Sequence, residues 1–240
     1  MKSLLITVLI LCLCLSGCGK EEPVLVNPPE TTVAAVTEET AEETTEAIPQ
    51  TEPAEYPDPQ DLVFVAVADY IPNLCIDLKY AGTDNFTGQV IYDFSTAYLR
   101  YGTVNKLAAV QEDLEQLGLG LKLWDGFRPV MAQHKLWEVC PDSRYVANPK
   151  TGFSAHSRGN TVDVTIVDGQ GRDVMMPTGF DDFTAKADRD YSDCPKEAAD
   201  NAQILEALME KHGFKGYKNE WWHFTDTQSY PVEKQFQPTT

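Results

Sequence analysis

Positive charge is scarce in this chain. Nineteen lysines and arginines stand against 37 aspartates and glutamates in 240 residues, a formal net charge of −18. With no basic footprint to neutralise phosphates, nucleic acid is excluded as a partner. Cysteine is sparse too: six in the whole chain are too few for a disulfide-dense scaffold. The one long apolar run, Leu4 to Leu15, is about twelve residues against the ~20 that a membrane-spanning helix needs. No internal repeat is evident. What the chain does have is 42% hydrophobic and 10% aromatic residues, enough for a globular core.

The composition divides in three. Residues 1–18 read as a secretory signal: Lys2 supplies the positive start, and the apolar run, broken by Thr7, ends in Leu15-Ser16-Gly17-Cys18. That string resembles the bacterial lipobox, in which small residues admit the peptidase and the cysteine thiol takes the lipid. The expectation is an exported protein, lipid-anchored through Cys18 to the outer face of the cell membrane, with Cys12 and Cys14 lost on processing. Residues 19–60 hold one base, eleven acids, seven prolines and seven threonines, for a net charge of −10. Such a segment buries too little apolar surface to offset its ordering entropy, so it is expected to be a disordered acidic tether. Residues 61–240 carry the remaining −9 and have the length of one domain.

Within that domain the patterns mix helix and strand. Leu62–Ala68 and Leu74–Tyr80 read as strands. From Thr103, apolar residues at Val104, Leu107, Val110, Leu114 and Leu117 predict a helix that stops at Gly118. Leu119, Leu121 and Leu123 alternate into a strand ending at Asp125-Gly126, and Pro129 suits the first turn of a helix to about Val139. Thr161–Val167 is β-branched and reads as a strand. Pro195 opens a helix carrying Ile204, Leu205, Leu208 and Met209 and closed by Gly213, and Trp222–Phe224 form a last strand. Helices and strands do not alternate regularly, which favours an α+β fold.

Two distant segments hold the chemistry. The first is Ser154-Ala155-His156-Ser157-Arg158-Gly159-Asn160-Thr161-Val162-Asp163. Asp163 lies between two valines of a strand, where an unpartnered carboxylate is expensive to bury; a cation or a metal removes that penalty. The second is Glu220-Trp221-Trp222-His223. Imidazoles and carboxylates ligate zinc, and a catalytic zinc takes three protein ligands and keeps one open position. His156, Asp163 and His223 would be the three, leaving Glu220 as base. On a regular strand, however, positions three apart face opposite sides. Glu220 and His223 can share a site only if the strand bends or Glu220 sits on the loop before it. Spacing alone is a weak signal, since a histidine seven residues before an aspartate is commonplace and most Glu-x-x-His strings are surface residues.

The literal strings add more. Ser-x-His-Ser-Arg-Gly-x-x-x-Asp followed by Glu-Trp-Trp-His resembles the D-alanyl-D-alanine dipeptidases of the zinc D,D-peptidase group. Leu78-Lys79-Tyr80-Ala81 with Asn85-Phe86-Thr87-Gly88, Trp124-Asp125-Gly126-Phe127-Arg128-Pro129, and Phe180-Asp181 extend the likeness in family order from about Asp69 to Phe224. The resemblance implies a compact α+β domain whose mainly antiparallel sheet, flanked by helices, presents one zinc ion. It implies His156, Asp163 and His223 as ligands, Glu220 as general acid/base, and Arg128 as the residue that stabilises the transition state. It also implies Asp181 as partner of the dipeptide ammonium, with Tyr80 and Ser154 lining the same pocket. Phe127 stands where the family often has tyrosine, which removes a hydroxyl.

The expected function is therefore zinc-dependent hydrolysis of D-Ala-D-Ala to two D-alanines, in removal or recycling of peptidoglycan precursors. One alternative is a D,D-carboxypeptidase trimming peptidoglycan stems, which a closed ammonium site at Asp181 would reject. Another is a wall-binding lipoprotein with zinc, which needs neither Glu220 nor Arg128. Trp221 and Trp222 are expected to pack, and His134 and His212 to lie on the surface. Cys140 and Cys194 form a conceivable bridge that sequence leaves undecided.

Overall fold

The computed structural model describes residue 58 and residues 60–239; the signal segment, Cys18 and nearly all of the 19–60 segment lie outside the described residues. Sheet order follows from where the apolar runs fall. β4 (Leu119–Asp125) and β5 (Thr161–Asp168) are the most thoroughly buried strands, and they sit side by side in a five-stranded sheet. β2 (Cys75–Ile76) pairs with β4 and is the one parallel neighbour; β7 (Glu220–Asp226) and then β6 (Phe214–Tyr217) extend the other side antiparallel. β1 (Phe64–Ala66) and β3 (Tyr98–Arg100) make a separate antiparallel pair. The fold is α+β with a mainly antiparallel sheet, as expected.

α2 (Tyr101–Gln116) and α4 (Lys196–Lys211) are amphipathic, and their apolar residues meet one face of the sheet. Leu107, Val110, Leu114 and Leu205 have no exposed surface, and neither do Leu121, Leu123, Val162, Val164 and Ile166 of the sheet. Full burial of such side chains contributes roughly 1.5–3 kcal/mol each. Both helices stop where the sequence puts glycine, since Gly118 and Gly213 adopt φ of +74° and +83°, a region costly for other L-residues. α3 (Val130–Val139) starts directly after Pro129, and α1 (Val67–Tyr70) is a single turn.

Alternation gives the sheet a second, polar face. Thr161, Asp163 and Thr165 of β5 project away from the helices, beside His223 and Thr225 of β7, with which Asp163 and Thr161 are in register. Two expectations need correction. Leu62–Ala68 yields only three strand residues before α1, because β3, its partner, is itself three residues long. Leu74–Tyr80 yields two strand residues and then a 3-10 turn at Lys79–Ala81. β3 and β6 carry no pattern strong enough to have been read. Among the described residues the three cysteines, Cys75, Cys140 and Cys194, are free, so Cys140 and Cys194 are not bridged.

Candidate active site

Three elements converge on the polar face. His156 comes from a 3-10 turn, Ala155–Arg158, that ends at Gly159 with φ +77°. Asp163 is two residues into β5, and His223 lies opposite it on β7. Each offers a ligand atom, and these atoms lie within 4.8 Å of one another. Asp163 Oδ1 is 3.0 Å from His223 Nδ1, and Asp163 Oδ2 is 3.4 Å from His156 Nε2. His156 Nδ1 lies 2.9 Å from the carbonyl of Gly126. A carbonyl only accepts, so Nδ1 carries a proton and donates it, which directs Nε2 at Asp163 as the atom that could ligate a metal. That is the orientation a metal needs, fixed by a partner outside the ligand set. Two imidazoles and a buried carboxylate in this arrangement fit zinc.

The electrostatics agree with that assignment. Burial opposes charge on Asp163, but the neighbouring imidazoles outweigh it and hold its carboxyl well below the usual range. Burial likewise works against a charged His156, and the carboxylates of Asp163 and Asp125 more than offset it, raising its pKa. The buried Asp163 carboxylate, set between two imidazoles, suits a cation at this point.

Glu220 reaches the same place through a break in the strand. Gly216 pairs with Phe224, yet the next pairing joins Tyr217 to Glu220, so residues 221–223 bulge from the ladder and the alternation is reset. Glu220 Oε2 is consequently 3.5 Å from His223 Nδ1, as the expected bend requires. Burial pushes the Glu220 carboxyl up from its ordinary value. The bulge also buries two successive side chains, Trp221 and Trp222, each 1% exposed, as packing residues.

A second irregularity brings in Asp125. The register of β4 against β5 shifts between Leu123 and Asp125, so that Asp125 pairs with Asp163 and joins the polar face. Wholly buried, Asp125 accepts hydrogen bonds from Tyr92 Oη at 2.6 Å and from the Gly126 amide at 2.9 Å. Its other oxygen takes Arg128 Nε and Nη2 at 3.1 and 2.5 Å. Arg128 Nη1 donates to Gln133 Oε1 at 3.0 Å, and the guanidinium lies 5.0 Å above the Tyr80 ring. Burial disfavours that charge, but Asp125 more than compensates and holds it firmly protonated. Tyr92 and Gln133 escaped the sequence reading, and Asp125 was noticed there only as part of a string. The available signal was a charged pair three residues apart in an apolar context.

Across the cleft, Tyr80 Oη donates to Asp181 Oδ2 at 2.7 Å. Burial drives the Asp181 carboxyl up to about 8, and its backbone is held at φ +54°. Ser154 is 7% exposed and lines the same cleft as Tyr80, Arg128, His156, Asp181 and Glu220. Every residue assigned from sequence within the described region therefore borders one cavity. The histidines left out lie elsewhere: His134 is on α3, and His212 caps α4, with Nε2 2.6 Å from Asp113 Oδ2.

Comparison with known proteins places this arrangement. A family model described as D-ala-D-ala dipeptidase matches residues 60–239. The chain belongs to the D-alanyl-D-alanine dipeptidase family. Among curated members it is 38% identical to the D-alanyl-D-alanine dipeptidase of Escherichia coli over 177 residues, 73% of this chain and 90% of that one. It is 36% identical to the D-alanyl-D-alanine dipeptidase of Streptomyces coelicolor over 183 residues, 68% and 90% of the two chains. Solved structures similar to this family member include VanYB in complex with D-alanine-D-alanine, at TM-score 0.38 and 15% identity over 57% of this chain and 78% of that one. The LdcB LD-carboxypeptidase matches at TM-score 0.41 and 16% identity, over 73% and 72%.

Proposed function

We propose that this protein is a zinc dipeptidase that hydrolyses D-alanyl-D-alanine to two D-alanines. The observation that carries the reading is the convergence of His156, Asp163 and His223 within 4.8 Å, beside Glu220 and Arg128, in a member of this family. His156 Nε2, Asp163 and His223 would hold the zinc. When bound, zinc supplies Lewis acidity, polarising a peptide carbonyl and making water nucleophilic near neutral pH.

The chain's own residues account for the rest. Glu220, with its carboxyl raised by burial, accepts the proton of the attacking water and delivers it to the leaving amine. Arg128 spends three of its N–H groups on Asp125 and Gln133. Those bonds fix a permanent positive charge on the cleft wall, where it stabilises the oxyanion as it develops. Asp181, joined to Tyr80, meets the substrate ammonium; its raised pKa is that of a carboxyl awaiting a cation, and the ammonium completes the pair. Ser154 lines the pocket beside them. An ammonium partner selects a free dipeptide over an acylated peptide, which favours dipeptidase over D,D-carboxypeptidase activity. We also place the enzyme at the outer face of the membrane, anchored through Cys18, on the strength of its lipobox-like string.

The test compares D-alanine release from D-Ala-D-Ala and from an N-acylated D-Ala-D-Ala peptide, before and after chelation. Rapid, chelator-sensitive cleavage of the free dipeptide is expected. Preference for the acylated peptide would replace this reading with a carboxypeptidase, and turnover of neither by the zinc-loaded protein would make it a binding module. Glu220→Ala should retain one zinc per chain and lose at least about a hundredfold in kcat; loss of the metal itself would mean that Glu220 is a ligand.

A further inference from the structure

Arg189 has no place in the chemistry above, yet its guanidinium is tied to the backbone that carries Glu220 and His223. It lies between β5 and α4, and its side chain is 11% exposed. Nε donates to the Tyr217 carbonyl at 2.9 Å. Nη2 faces the carbonyls of Glu220, Trp221 and His223 at 3.2, 3.0 and 3.1 Å. The Arg189 amide donates to the Lys218 carbonyl at 3.2 Å. One residue thus gathers carbonyls from both sides of the turn, over the stretch where the β6–β7 ladder is broken. A buried carbonyl without a partner is costly, and the bulge creates several at once.

The guanidinium is itself held in place. Nη1 lies 3.3 Å from Glu206 Oε1 on α4, while Tyr191 Oη donates to Glu206 Oε2 at 2.9 Å. Its carbon sits 4.3 Å above the ring of Phe224, a fully buried residue. Space for it is left by Gly216, where a Cβ would fall 2.4 Å from the guanidinium carbon and 2.6 Å from Nη2. Arginine at 189 can therefore take this place only while residue 216 has no side chain.

We propose that Arg189 is a positioning residue. Its fork holds residues 217–223 in the bulged path that turns Glu220 and His223 toward the same point, and so sets the base relative to the metal. The inference rests on the reading of Glu220 as base and His223 as ligand. Lysine would keep the charge but lose the planar fork that reaches several carbonyls together.

The experiment uses the full chain with two substitutions that touch no substrate: Arg189→Lys, which removes the fork, and Gly216→Ala, which pushes it out. Either variant that remains folded by circular dichroism should bind one zinc per chain. It should keep KM for D-Ala-D-Ala within about twofold and lose about tenfold or more in kcat, because small misplacements of a catalytic group are expensive. Loaded with cobalt(II), it should also show a visible absorption band shifted from that of the unsubstituted protein. A kcat loss explained wholly by missing metal, or kcat and cobalt spectrum both unchanged, overturns the proposal. If both variants unfold, Arg189 is a general structural residue and the proposal fails as well. Should the unsubstituted protein not cleave D-Ala-D-Ala, it is the dipeptidase reading that fails; the cobalt spectra still decide whether Arg189 positions the ligand strand.

Discussion

Asp181 sits in an environment poorly suited to its ionised form. Burial holds its carboxyl near 8, so at neutral pH the empty pocket keeps it mostly protonated, hydrogen-bonded to Tyr80. The consequence for stability has a definite sign. Its pKa is 3.8 when unperturbed and about 8 when folded. Between these values the folded chain retains a proton that the unfolded chain releases, and stability falls as pH rises through that window. Asp181→Asn removes the titration. In metal-free protein the Tm gain of the variant over the unsubstituted chain should grow from pH 5 to pH 8; a gain independent of pH would mean that Asp181 titrates normally. The same change should raise KM for D-Ala-D-Ala about tenfold or more, since an amide oxygen can accept a hydrogen bond from an ammonium ion but brings no opposite charge. Residue identities at the site were the most legible part of the sequence, because a carboxylate inside a valine-rich strand needs an explanation that short motifs then supply. Tyr92 and Gln133 were illegible for the converse reason: they act on Arg128 from distant or unremarkable positions, and nothing local marks them.

At the scale of elements, two strand irregularities and one turn make the site. Long strands and helices could be read from their periodicity, and the glycine stops after α2 and α4 fell where expected. The bulges at Asp125 and before His223 could only be inferred from a conflict, since Glu220 and His223 cannot share a face of a regular strand. β3 and β6 were missed because strands of three and four residues carry little periodicity. The turn bearing His156 depends on Gly159, which combines a φ of +77° with a Cβ position 2.4 Å from the Phe64 ring. Its carbonyl accepts the Arg100 amide at 2.8 Å, and its amide donates to the His156 carbonyl at 3.0 Å, tying the His156 turn to β3. Gly159→Ala should therefore cost about 2 kcal/mol or more, from left-handed backbone strain and the displaced ring. It should also weaken zinc binding in competition with a chelator. Urea unfolding and metal competition measure the two effects separately. Unchanged zinc affinity in a destabilised variant would show that the ligand turn tolerates the shift.

Among the described residues the chain's two ends meet in the same region. Asp61 donates its amide to the Asp58 carbonyl, Tyr101 donates to Val63, and Phe236 near the chain's end stacks on Phe64 of β1 at 4.5 Å. These contacts pack β1 against the C-terminal segment, and the family match covers residues 60–239. The acidic stretch before it contributes −10 of the −18, and nearly all of it lies outside the described residues. A chain beginning at residue 58 should keep kcat/KM for D-Ala-D-Ala within about twofold, with Tm changed by no more than about 2 °C, whereas a cut beyond β1 should abolish folding because Phe64 and its partners are lost. Within cells the two functions should separate: the full chain should sediment with membranes and Cys18→Ala should not, with equal activity in both extracts. A drop in kcat/KM on removing residues 1–57 would instead assign the acidic segment a part in substrate capture, since charge of that density acts beyond a single contact only at low ionic strength. Repeating the comparison at high salt separates the two, because a tether is indifferent to salt and an electrostatic contribution fades with it.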